Sequence, residues 1–97
     1  MGLSPLPRRA KYGNYVGKVV DEVSYQRDFS DHDCLFLIQH IRWRDGSESI
    51  RFAYYTKPHG ASEDEWNYAN RAPDMEPEVL RELISRARTR PWFRGVV

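Results

Sequence analysis

Ninety-seven residues suffice for one domain and are too few for two that each bury a core. With 40% hydrophobic and 30% charged residues, the composition lies outside the disordered and membrane classes. A formal net charge of +1 argues against a dedicated nucleic-acid binder, which carries a clear basic excess, and a single cysteine, Cys34, excludes an internal disulfide and any multi-cysteine zinc site.

Residues 1–13 hold two prolines, two glycines and the cations Arg8, Arg9 and Lys11 without periodicity, which predicts a flexible amino-terminal arm or a strand lead-in. Residues 1–6 lack the apolar stretch of a signal peptide, and Leu6 stands where N-myristoylation needs Ser or Thr. No apolar run reaches membrane-spanning length, so a cytoplasmic protein without membrane association is expected. Residues 14–97 are then read as one domain.

Residues 15–25 are rich in Val and Tyr and form the first strand candidate, with Asp21 interrupting its apolar face. That interruption predicts a bulge or bend near Asp21 and Glu22. Residues 26–32 are polar and read as a loop. Residues 34–44 alternate, with Leu35, Leu37, Ile41 and Trp43 on one face and Gln39 as the exception. Residues 50–57 alternate as well, through Ile50, Phe52 and Tyr54.

Asp45-Gly46 between these two runs is a strong hairpin signal. A two-residue loop there sets Ile41 opposite Ile50, Gln39 opposite Phe52 and Leu37 opposite Tyr54, so the apolar faces coincide. The other face then pairs Phe36 with Tyr55, Ile38 with Ala53, His40 with Arg51 and Cys34 with Lys57. Arg42 and Arg44 lie nearer the turn.

Trp66 to Ala69 reads as a short fourth strand with Trp66 and Tyr68 turned to the core. A helix is predicted over residues 77–90. Pro77 suits its first turn, Asp74, Glu76 and Glu78 favour its positive end, and Val79, Leu80, Leu83, Ile84 and Ala87 form one stripe. Pro91 ends it, and Trp92 and Phe93 are expected to fold back. The predicted fold class is α+β: an antiparallel sheet of three or four strands with one carboxy-terminal helix packed on one face. The second face is left open.

That open face defines the candidate binding residues: Phe36, Ile38, His40, Arg42, Arg44, Arg51, Tyr55 and Lys57. Guanidinium groups among rings suit single-stranded nucleic acid, while an apolar centre with a charged rim suits a protein partner. A protein partner or a second copy is the first expectation and nucleic acid the second, with Arg8, Arg9 and Lys11 assisting. A small enzyme ranks last. No catalytic residue, metal ligand or cofactor is assigned: His32, Cys34 and His40 spread along one strand and do not converge, Ser30 and Cys34 lack a nucleophile turn, and Gly13 and Gly17 lack the rest of a phosphate-loop fingerprint. No motif identifies a family.

Overall fold

A computed structural model describes residues 6–69 and 72–96. The β-branched and aromatic segments pair in simple succession, giving one antiparallel sheet of order β1-β2-β3-β4-β5 among the described residues. The strands are β1 (Arg8–Tyr12), β2 (Tyr15–Asp28), β3 (His32–Trp43), β4 (Glu48–Pro58) and β5 (Asn67–Tyr68). Helix α1 (Pro77–Ala87) follows, and after it comes a 3-10 turn (Pro91–Phe93). The sheet has five strands where three or four were expected: the short fourth strand expected at 66–69 is β5, and the additional strand is β1, whose sequence carries little alternation. Part of the expected arm is thus β1, paired with β2 from Arg8↔Val19 to Tyr12↔Tyr15. Residues 1–5 of that arm lie outside the described residues. No described helix is long and apolar enough to cross a membrane.

The central hairpin departs from expectation by one residue. Its loop has three residues, Arg44, Asp45 and Gly46: the Trp43 N–H donates to the Ser47 carbonyl at 2.8 Å and the Gly46 N–H to the Trp43 carbonyl at 3.0 Å. A two-residue type I′ loop needs positive φ at Asp45 as well as Gly46. Only Gly46 has it, at 91°. The Asp45 carboxylate instead accepts from the Ser47 N–H at 2.9 Å and the Ser47 hydroxyl at 2.6 Å, a local Asx turn.

The consequence is large, since a one-residue slip exchanges the faces of a strand relative to its neighbour. Phe36 faces Tyr54, Ile38 faces Phe52 and His40 faces Ile50, while Leu37 faces Ala53 and Gln39 faces Arg51. The expected pairs Phe36 with Tyr55 and His40 with Arg51 do not form.

β3 is buried on both sides. On one, Val23, Cys34, Phe36 and Ile38 cluster with Val79, Leu83 and Ala87 of α1 and with Phe93. On the other, Leu35, Leu37, Gln39 and Ile41 are at most 1% exposed. There the sheet curls, Trp43 packs on Ala10, Val19 and Ile41, and a polar chain crosses the strands. Arg8 pairs with Glu22, Gln39 Nε2 donates to Glu22 Oε1 at 3.1 Å, Arg51 Nε donates to Gln39 Oε1 at 3.0 Å, and the Arg51 guanidinium lies 5.2 Å from the Tyr68 ring centre. Gln39, the exception in the alternation, is the buried middle of that chain.

The expected irregularity in β2 falls one residue early. Register shifts between Val19 and Asp21, so Val20 is the extra residue. Before the bulge, Lys18 lies on the α1 side opposite Arg42; after it, Asp21 lies on that same side opposite His40.

Candidate anion-binding face

The eight predicted residues divide between the two faces. Phe36 and Ile38 are 4% and 0% exposed beneath α1, so the expected open apolar centre does not exist. His40 shares their side and stacks on Trp92, ring centres 5.3 Å apart, with Nε2 bonded to Glu48. Arg51, Tyr55 and Lys57 lie on the opposite side. Arg51 is engaged by Gln39, Tyr55 meets Tyr68 edge-on at 5.4 Å, and Lys57 is buried. Only Arg42 and Arg44 are exposed. Of the rings expected in the core, Phe93 is buried, Trp66 and Trp92 are half-buried, and Tyr68 is 45% exposed.

Strand pairing gathers a different set. Arg9 lies opposite Lys18 and Lys18 opposite Arg42, a row of three cations across β1, β2 and β3. At about 4.8 Å between strands the row spans roughly 10 Å. Next to it, Lys11 lies opposite Val16, whose carbonyl accepts from the Arg44 N–H at 3.0 Å. All five cations are exposed, and none of their side chains makes an ion pair or hydrogen bond with a described residue. A cleft of 360 Å³ opens beside three of them, lined by Val16, Gly17, Lys18, Val20, Arg42, Trp43 and Arg44. Gly17 is required there: a Cβ would sit 2.6 Å from the Arg42 carbonyl oxygen and 2.7 Å from Trp43 Cε3.

Like charges directly opposite on neighbouring strands destabilise a sheet. Glu48, directly opposite Arg42, would relieve that row, yet its carboxylate is taken by His40. The carboxylates instead concentrate at the other end of the strands. Arg27 pairs with Glu76 at 2.9 Å, and the His59 N–H reaches the Asp31 carbonyl at 3.3 Å, which brings the start of α1, the β2–β3 connection and the β4–β5 loop to that end. Asp28, Asp31, Glu63, Asp64, Glu65, Asp74 and Glu76 all lie in these segments. The net charge of +1 over the whole chain therefore conceals a local excess of cations at one end of the sheet and of carboxylates at the other.

Lys18 and Glu48 escaped the sequence reading. A faint signal existed: Arg9 with Lys11 and Arg42 with Arg44 are spaced by two, so each pair shares a strand face.

A second charged cluster sits at the acidic end. Asp33 accepts from Lys57 Nζ at 2.8 Å and is bonded to His59 Nδ1 at 2.7 Å; Lys57 also donates to the Ala61 carbonyl at 3.0 Å and lies under the Trp66 ring at 5.2 Å. The His59 and Lys57 hydrogen bonds hold the Asp33 carboxyl below its usual value. The same bonds raise Lys57 and His59 above theirs. The bonds of this trio tie the start of β3 to the end of β4. Burial raises the Cys34 thiol to about 11, which leaves it protonated and inert at neutral pH. Among the described residues no group of three potential ligands could hold a metal ion. No family model, curated protein or solved structure matches the chain.

Proposed function

We propose that the chain is a non-enzymatic binding module that holds nucleic acid by its phosphates on the cation rows beyond the end of α1. One observation carries the proposal: Arg9, Lys18 and Arg42 lie side by side on adjacent strands, and none forms an ion pair with a described residue because the nearby Glu48 is bonded to His40, an arrangement that costs folding energy and is relieved by a bound polyanion. The rings first expected to stack on bases are elsewhere, so contact is with the backbone and is independent of sequence.

The test is fluorescence anisotropy with a labelled mixed-sequence single strand across a salt series. Each engaged cation contributes about −0.7 to the slope of log K against log salt, so full engagement of the five gives a slope of roughly −3.5. Lys18→Glu with Arg42→Glu should abolish binding, and Arg81→Glu on the exposed side of α1 should leave it unchanged. No binding at low salt refutes the proposal.

A second reading, a protein partner or a second copy, is favoured by the outer edge of β4. β5 pairs with Tyr55 and Thr56, so residues 48–53 have no described strand on their outer side, and Phe52 among them is 40% exposed. Association there would persist at high salt in sedimentation velocity, the opposite of phosphate binding.

A further inference from the structure

We propose that His40 sets the charge of the binding face by holding the Glu48 carboxylate away from Arg42, and this rests on the phosphate-binding reading above. Glu48 has two basic neighbours on β3: Arg42 directly opposite and His40 on the diagonal. The Tyr54 carbonyl accepts from the Ala69 N–H, so the even-numbered residues of β4 turn their backbone groups outward. Glu48 and Arg42 are therefore a non-hydrogen-bonded pair, the kind in which facing side chains approach most closely. A full positive charge at the closest position would ordinarily capture a carboxylate.

Glu48 takes His40 because that donor is fixed in place. The His40 side chain is 12% exposed and lies flat against the Trp92 indole, with 20° between ring planes. Trp92 is itself anchored: its Nε1 donates to Asp21 Oδ2 at 2.7 Å, and Arg90 bonds both Asp21 oxygens at 3.0 and 3.1 Å. Asp21 reaches this side only because Val20 is bulged out of register. A ring already immobilised loses little freedom on bonding the carboxylate, whereas an exposed Arg42 side chain would have to be ordered. His40 is thus a positioning residue: it occupies Glu48 so that the central row keeps three charges for phosphate.

Four variants test this. His40→Phe keeps a ring against Trp92 and removes the donor; Glu48→Asp shortens the reach to the diagonal while leaving a carboxylate opposite Arg42. Both should bind the oligonucleotide several-fold more weakly than the wild type, with a salt slope shallower by about 0.7, the loss of one phosphate contact. Glu48→Gln should bind at least as tightly as the wild type, and His40→Phe/Glu48→Gln should match Glu48→Gln alone. A double variant as weak as His40→Phe would overturn the proposal, as would single variants with wild-type slope. The Arg42 Nε–H resonance of the free protein gives a readout independent of nucleic acid. It should shift in His40→Phe and return in the double variant. If wild-type protein fails to bind, phosphate binding fails, and this resonance still decides whether His40 governs the Glu48 partner.

Discussion

Beneath α1 the sheet surface is apolar and sealed, with Phe36 and Ile38 packed on Val79 and Leu83. Farther along the same strands and on the same side, it is cationic and open, with Lys18 beside Arg42. His40 is two positions beyond Ile38 along β3, and Arg42 two positions beyond His40. The boundary is the His40–Trp92 stack. On the phosphate-binding proposal, one strand serves stability at one end and recognition at the other, and substitutions in the two halves should have opposite signatures.

The largest expected effect lies in the sealed half. Phe36→Ala removes a ring 4% exposed and should cost about 3–5 kcal/mol, read from a urea unfolding curve. A cost below 1 kcal/mol would mean that α1 does not seal this surface. Gly17→Ala comes next. Its Cβ would meet backbone and the Trp43 ring inside 3 Å, so a loss of about 1–3 kcal/mol is expected, together with weaker oligonucleotide binding as the cleft floor shifts. Lys18→Glu with Arg42→Glu should reverse the pattern, changing stability by no more than about 1 kcal/mol, the scale of the repulsion it creates opposite Glu48, while removing binding in the anisotropy titration. If unfolding and binding change together in that variant, the division between the halves is wrong.

The smallest effect concerns pH. His59 is raised above its ordinary value of 6.5 by the Asp33 carboxylate. Its contribution to stability is fully present below 6.5 and is lost as pH rises through its higher folded value. Asp33 is lowered below 3.8, so its contribution is present above that value and fades as pH falls through the folded one. The urea midpoint of wild-type protein relative to His59→Gln should therefore decline on the alkaline side of 6.5. A parallel course for the two proteins would show that His59 does not couple to folding.

Much of the local structure was legible. The Val- and Tyr-rich run announced β2, Pro77 and the Val79–Leu83–Ala87 stripe announced α1, and Asp21 announced the bulge within a residue. The continuous apolar run from Cys34 to Ile38 is the mark of a strand buried on both sides, but the alternation that flanks it is equally compatible with one open face. The hairpin register failed because Asp-Gly is compatible with two loop lengths. The choice between them was made by Ser47, whose N–H and hydroxyl both go to the Asp45 carboxylate.

Periodicity, capping residues and turn chemistry act over a few neighbours, so the sequence by itself determined the α+β class, the positions of the long strands and the helix. Whether Lys18 meets Arg42, whether Glu48 bonds His40 rather than its opposite neighbour, and whether Phe36 faces α1 or water were decided by the tertiary structure. Each depends on strand register and on one extra residue at Val20. A step of one residue reverses the side to which every following side chain points, and which step is taken depends on energies summed across the whole sheet.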